Sequence, residues 1–169
     1  VFSKWRGPGG EWVDLRSGRN ALVRAASRAG HVGVVEILLE WTGPGGEWVD
    51  PREGDNDAVR IASENRRTGV LRVLLGWTGP GGEWVDPRSG TNALVRAASY
   101  AGHVDVVRVL LGWRGPRGEW VDPGYEDFEA VACALRYGHT ELVWVFSKWR
   151  GPGGEWVDLR SGRNALVRA

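Results

Sequence analysis

Trp77-Thr78-Gly79-Pro80-Gly81-Gly82-Glu83-Trp84-Val85-Asp86 is one of five versions of a single sentence in this chain. The frame W-[RT]-G-P-x-G-E-W-V-D places Trp5, Trp41, Trp77, Trp113 and Trp149 at intervals of 36 residues, and Trp12, Trp48, Trp84, Trp120 and Trp156 likewise. Ten of the 11 tryptophans and most of the 26 glycines belong to this motif. A fixed period without insertion or deletion means that each copy fills the same structural slot. Residues 1–4 read as the end of a preceding repeat. They are followed by repeats at 5–40, 41–76, 77–112 and 113–148, and by a partial fifth at 149–169.

A second period lies above the first. Residues 145–169 reproduce residues 1–25 without a change, so the larger unit is 144 residues, four repeats long. Solenoids of repeats end in atypical capping units with polar outer faces. Neither end of this stretch has one, and the expectation is an excerpt from a longer or polymerised array.

Within 77–112 the motif reads as a β-hairpin. Pro80 sets φ for the first central turn position and Gly81 supplies the positive φ of a type II turn. That register puts Thr78 opposite Glu83 and Trp77 opposite Trp84. Where Arg replaces Thr it makes the facing charge pairs Arg6–Glu11, Arg114–Glu119 and Arg150–Glu155. Arg117, in the place of Gly81, is expected to push the fourth turn towards type I. After the turn formers Asp86 to Gly90, Asn92 stands where an N-cap belongs, with Asn20, Asn56 and Asn164 as equivalents. Ala93 to Ala101 has helical spacing and ends at Gly102, a C-cap residue. His103 to Leu111, with Val106, Val107, Leu110 and Leu111, reads as a second helix. Helices this short are marginal alone, so stacking of repeat on repeat is the expected source of stability.

The stretch G-x-N-A-L-V-R-A-A-S-x-A-G-H-V-x-V-V-x-x-L-L resembles the ankyrin repeat. The matching frame is Asn92, Ala93, Leu94, Ala97, Ala98, Gly102, His103, Val106, Val107, Leu110 and Leu111, and it recurs through Leu22, Gly30, His31, Leu38 and Leu39. Arg66-Arg67 replaces Gly-His in the second repeat, while the fourth keeps Gly138-His139 but carries Glu126 and Phe128 earlier. These repeats are three residues longer than the usual ankyrin unit, and the Trp finger replaces its Gly-Ala-Asp turn. The resemblance implies a mainly α, ankyrin-like helix-turn-helix solenoid with one β-hairpin per 36-residue repeat. It also implies a protein–protein interaction role, and brings no catalytic residue with it.

Composition narrows the function classes. Lys and Arg total 22 against 21 Asp and Glu, a net charge of +1, which does not mark a nucleic-acid or membrane-surface binder. No apolar run approaches the ~18 residues of a membrane span, and the stretch carries no leader, so compartment stays open. The single cysteine, Cys133, excludes an internal disulfide framework. It aligns with Ala25 and Ala97 and is expected to be small and buried. His31, His103 and His139 fall one per repeat, too far apart to share a zinc ion at ~2.0–2.1 Å per ligand, and are expected to brace turns. The acids Glu11, Asp14, Glu47 and Asp50 recur with the period, whereas an active site breaks it. Gly-Pro-Gly-Gly lacks the Gly-Lys-Ser/Thr ending of a phosphate loop. The expectation is therefore no enzyme, no cofactor and no metal.

Two features remain as candidate sites. The ten motif tryptophans form a structural ladder between fingers, or stack sugars or bases. The fourth repeat gains Tyr125, Phe128, Leu135, Tyr137, Trp144 and Phe146, which mark a lateral or partner contact or a local repacking of the core. The leading expectation is a structural scaffold that partners itself by end-to-end stacking or filament assembly, a non-closing geometry. The alternative is a protein-binding module using the helical surface near Arg24, Arg60, Arg96, Tyr100 and Arg136. Carbohydrate binding through the Trp rows comes third.

Overall fold

The computed structural model describes residues 14–157 and the dipeptide Leu166–Val167. Its elements are α1 (Ser17–Ala29), α2 (Val32–Leu39), α3 (Glu53–Glu64), α4 (Thr68–Gly76), α5 (Ser89–Tyr100), α6 (Val104–Gly112), α7 (Tyr125–Arg136), α8 (Thr140–Lys148), β1 (Trp156–Val157) and β2 (Leu166–Val167). The chain is mainly helical. First helices begin at Ser17, Glu53, Ser89 and Tyr125, and second helices at Val32, Thr68, Val104 and Thr140, each set stepping by the 36-residue period.

The chain divides into two compact halves, Val1–Val85 and Asp86–Ala169. In the first half α1 pairs with α2 and α3 with α4, while α1 packs on α3 and α2 on α4. In the second half α5, α6, α7 and α8 repeat the same plan. Periodic apolar positions make both cores. Val23, Val59, Val95 and Val131 of the first helices are buried, as are Leu38, Leu74, Leu110 and Phe146 of the second. The finger valines Val49, Val85, Val121 and Val157 are buried too. Burying an aliphatic side chain of this size stabilises by about 1.5–3 kcal/mol, and no helix here is long enough to persist without it.

The turn between paired helices is built as the glycines suggest. Gly102 adopts φ 71°, with Gly102 N–H bonded to Ser99 O and His103 N–H to Ala98 O. Those two bonds are the Schellman closure. Gly30 and Gly138 take the same conformation, and Arg66 adopts φ 56° in the second repeat.

Three local expectations are corrected. Asn20, Asn56 and Asn92 are not N-caps. They sit at φ 54°, 60° and 57°, the last residues of a short left-handed stretch such as Gly90-Thr91-Asn92, from which the right-handed helix then runs. Gly and Asn tolerate this region better than other residues. The side chain reaches outward instead: Asn20 Nδ2 donates to Asp50 O at 2.6 Å and Asn92 Nδ2 to Asp122 O at 3.3 Å. Asn164 lies outside the described residues.

The finger differs as well. Three described fingers are each reduced to a single antiparallel bridge, Thr42 with Trp48, Thr78 with Trp84 and Arg114 with Trp120. Thr78 therefore faces Trp84, not Glu83, and Trp77 does not face Trp84. Gly82, not Gly81, carries the positive φ of 81°, with Gly79 N–H to Glu83 O at 2.8 Å and Gly82 N–H to Gly79 O at 3.0 Å. A tight turn followed by one left-handed glycine is the common three-residue hairpin loop. Gly46, Gly118 and Gly154 share it, so Arg117 changes nothing in the turn.

The proposed cross-strand charge pairs give way to local bonds. Glu119 and Glu155 accept the backbone N–H of Arg117 and Gly153, each at 2.9 Å. Arg114 and Arg150 donate to the carbonyls of Trp113 and Trp149, each at 2.7 Å. Arg6–Glu11 lies outside the described residues.

Strand β2 pairs antiparallel with β1, Val167 opposite Trp156 and Leu166 opposite Val157.

Candidate functional site

Trp41, Trp77, Trp113 and Trp149 each lie against the first glycine of their own finger. Trp41, Trp113 and Trp149 are buried, and Trp48, Trp77, Trp84, Trp120 and Trp156 are half-buried. A Cβ on Gly79 would meet Trp77 Cη2 at 2.8 Å, so the ring covers the first glycine of its finger. Arg52 stands over Trp77 at 5.8 Å and Arg88 over Trp113 at 5.9 Å, within cation–π reach. Trp120 and Trp149 bring their rings to 5.3 Å at a 30° tilt. Trp5 and Trp12 lie outside the described residues.

The fourth-repeat aromatics separate into two groups. Tyr125, Leu135, Tyr137 and Trp144 are exposed, Trp144 at 59%. Phe128 and Phe146 are buried and leave the set of contact candidates. Phe128 occupies the buried slot of Asn20 and Asn92, and Phe146 that of Leu38, Leu74 and Leu110; a larger ring in an interior slot repacks the core. Tyr137 meets Tyr100 edge-on at 4.7 Å and stacks on His139 at 6.4 Å. Sequence spacing hides this cluster because Tyr100 and Tyr137 are 37 residues apart, one step off the repeat register. Lys148 Nζ lies 5.6 Å from the Trp144 ring.

The arginines of the helical surface are engaged. Arg24 pairs with Asp57 at 3.5 Å, Arg96 with Glu129, and Arg60 with Asp57 and with Glu64 at 2.8 Å. Arg136 is exposed beside Tyr137.

Two polar clefts occupy equivalent places 72 residues apart. One, of about 600 Å³, lies among Asp14, Arg16, Asn20, Glu47, Trp48 and Asp50. The other, of about 550 Å³, lies among Asp86, Arg88, Asn92, Glu119, Trp120 and Asp122. In both, the acid is locked to the arginine two residues on. Asp86 receives Arg88 Nε at 2.9 Å, Nη2 at 2.7 Å and the Arg88 backbone N–H at 2.9 Å. Burial pushes the Asp86 carboxyl up, but these bonds outweigh it and hold it below the usual carboxylate range. Asp50 with Arg52 behaves in the same way. An acid so paired is a turn brace.

A third cleft is almost wholly apolar. About 530 Å³ opens on α1 and α2 among Leu15, Leu22, Ala29, Val34, Ile37 and Leu38. Sequence reasoning did not single it out, because every one of these residues fits the core pattern.

No group of three or more metal-capable side chains converges among the described residues. Cys133 is half-buried and free, not buried as expected, and the aligned Ala25 and Ala97 are exposed. No helix among the described residues is long and apolar enough to cross a membrane. No family model matches the chain, and neither a curated protein nor a solved structure matches it.

Proposed function

We propose that this chain is a structural scaffold: an ankyrin-like helical solenoid, one finger per 36-residue repeat, that extends by stacking with a 144-residue period and partners itself. One observation carries the proposal. The first-helix Val and the second-helix Leu or Phe are buried in all four repeats, and the finger Val is buried in every described finger. Repeats whose apolar faces are covered by neighbours form a one-dimensional array whose stability accrues repeat by repeat. Its titratable side chains recur with the period as turn braces and ion pairs, so the scaffold has no catalytic role and uses no cofactor.

The test is to express one, two and three 144-residue periods as continuous chains. Small-angle scattering and electron microscopy are expected to show a constant cross-section and a contour length that rises in proportion. Compact particles whose length does not follow the number of periods would overturn the proposal.

A second reading is favoured by the exposed Tyr100–Tyr137 pair beside Arg136. It is a partner-protein contact on the helical surface, and a pull-down yielding one stoichiometric protein that is lost in Tyr137→Ser would support it over self-assembly.

A further inference from the structure

Departures of the fourth repeat from the period gather on one cleft. Arg117 stands where the other fingers have Gly45, Gly81 and Gly153, and the turn around it is unchanged. Tyr125 takes the place of Ser17, Glu53 and Ser89, and Gly124 that of Arg16, Arg52 and Arg88. Arg117 and Tyr125 both line the cleft of about 550 Å³ in the second half, as does Asp122, whose carboxylate accepts the Gly124 N–H at 2.7 Å. Residues that recur with the period serve the turns and the core. Substitutions that leave the turn as it was and border one cavity have a ligand as their common explanation.

Two consecutive repeats build this cleft. Asp86, Arg88 and Asn92 come from the turn and helix start of the third, and Arg117, Trp120 and Tyr125 from the finger and helix start of the fourth. Asn92 is 4% exposed. Its Nδ2 donates to Asp122 O at 3.3 Å, while its Oδ1 accepts no bond among the described residues. A buried acceptor left without a donor is costly, and a ligand hydroxyl, directly or through one water, supplies that donor. Trp149 covers one side of the half-buried Trp120 ring, with centroids 5.3 Å apart at a 30° tilt, and the same ring lines the cleft. Tyr125, the first residue of α7, is 49% exposed. Two aromatic rings therefore border a space whose other walls are polar.

Charge narrows the ligand. The lining carries Asp86, Glu119 and Asp122 against Arg88 and Arg117, and Arg88 is already bound to Asp86. A phosphorylated ligand would meet this surplus of negative charge. No group of three metal-capable side chains converges among the described residues, and the walls are too polar for a wholly apolar guest. A molecule with apolar faces and a rim of neutral hydroxyls meets every demand, because a hydroxyl donates to a carboxylate or to Asn92 Oδ1 and accepts from a guanidinium. We infer that this cleft binds one ring of a neutral sugar chain, a pyranose stacked against Trp120 and Tyr125 with its hydroxyls bonded to Asp86, Asn92 and Arg117.

The equivalent cleft of the first half is the internal control. It keeps the pair Asp14–Arg16, the tryptophan Trp48, and Asn20 at 4% exposure, again with an unpartnered Oδ1. It has Gly45 in place of Arg117 and Glu53 in place of Tyr125, so a single ring borders it and the finger contributes no guanidinium. The period supplies the frame of the cleft, and the fourth repeat alone supplies the second ring and the finger arginine. One such site falls in each 144-residue period. The inference does not rest on self-stacking, since the cleft is complete within the half Asp86–Ala169.

Nuclear magnetic resonance of the indole N–H groups tests the site, with the Trp120 and Trp48 signals assigned by Trp120→Phe and Trp48→Phe. The neutral probes cellohexaose, maltohexaose and hexa-N-acetylchitohexaose are titrated separately into the full chain. At least one is expected to shift the Trp120 signal saturably, with the millimolar affinity of a single small contact, and to leave Trp48 unmoved. Arg117→Gly with Tyr125→Ser restores residues that the period itself uses. The melting temperature is expected to stay the same while affinity falls about tenfold, as when aromatic and arginine anchors are lost. Arg117→Gly alone, at an exposed finger tip, is expected to weaken binding about threefold through one lost charge-assisted bond. Hexathymidylate, which brings rings but also phosphates, is expected to leave Trp120 unmoved. No shift with any of the three sugars, or a shift undiminished in both variants, would overturn the assignment. So would a shift shared equally by Trp48, or a stronger response to hexathymidylate than to sugar.

Discussion

The imidazole Nε2 of His139 lies 2.9 Å from the carbonyl oxygen of Tyr100, and the same ring covers Gly102, whose Cβ would meet its Cε1 at 2.8 Å. A carbonyl can only accept, so this nitrogen carries the proton and ties one helix turn to the next. Arg67 performs the same task with a guanidinium, donating Nε to Arg28 O at 3.0 Å while its Cδ stands where a Cβ on Gly30 would reach, at 2.8 Å. His139→Ala is expected to lower stability by about 0.5–1.5 kcal/mol, the worth of one such bond. Gly102→Ala meets both a left-handed backbone and the ring, and is expected to lose about 1–2 kcal/mol from the backbone alone. The two substitutions together are expected to lose less than their sum, by about 0.5 kcal/mol or more, because removing the ring relieves the clash. Urea unfolding of the four proteins measures the cycle; strict additivity would show that ring and glycine do not touch.

Arg66 supplies the converse experiment. It holds φ 56° at the Schellman position that glycine fills in the other three repeats. A non-glycine residue there costs roughly 1–2 kcal/mol. Arg66→Gly is therefore expected to stabilise the protein by about 1 kcal/mol, read as a rise in the urea midpoint with an unchanged slope. A lowered midpoint would show that contacts of the Arg66 side chain outweigh its strained backbone.

The helices and their period were legible because apolar spacing and the Gly-His turns are local signals. The β-hairpin expected of each ten-residue finger was not, since Thr42–Trp48, Thr78–Trp84 and Arg114–Trp120 are single bridges. What escaped the sequence depends on distance. Asn92 was read as a helix cap from its neighbours, whereas its carboxamide serves Asp122 thirty residues on. Phe128 and Phe146 looked like surface gains because aromatic residues among polar ones suggest a contact. Their places in the buried slots of Asn92 and Leu110 decide otherwise. The apolar cleft was illegible for the opposite reason: Leu22, Val34 and Ile37 read as core, and only the structure shows which core positions stand open.

The finger turn separates two adjacent glycines that sequence alone treats alike. Gly82 needs its freedom, with φ 81° and open space around it, whereas Gly81 has no left-handed backbone. Arg117 already occupies the Gly81 position in the fourth repeat and donates its backbone N–H to Glu119 as Gly81 does to Glu83. Gly81→Arg is expected to shift stability by less than about 0.5 kcal/mol, as surface changes without a backbone demand do. Gly82→Ala is expected to lose about 1–2 kcal/mol. Thermal melts of the two variants give the comparison, and equal losses would contradict the turn assignment.

Acid should weaken this protein through its turn-bracing aspartates. Burial pushes the Asp86 and Asp50 carboxyls up, but bonds from the side chains and backbone N–H groups of Arg88 and Arg52 outweigh it, and both sit below the usual carboxylate range. A group whose folded value is depressed contributes stability that is present above its unfolded value of ~3.9. That contribution is lost as pH falls through the lower folded value. Both aspartates are about one-third exposed, so solvent screening holds each pair to about 0.5–1 kcal/mol. Melting temperature is therefore expected to be flat from neutral pH down to about 5 and to fall steeply below about 4. Asp86→Asn keeps a side-chain oxygen for the Arg88 backbone N–H but removes the ion pair. It is expected to lose about 0.5 kcal/mol at pH 7, a deficit that shrinks as pH falls through the lowered value of the wild-type carboxyl. Melts at pH 2, 4 and 7 read the difference directly, and a deficit that persists undiminished at pH 2 would show that Asp86 acts through packing and not through its charge.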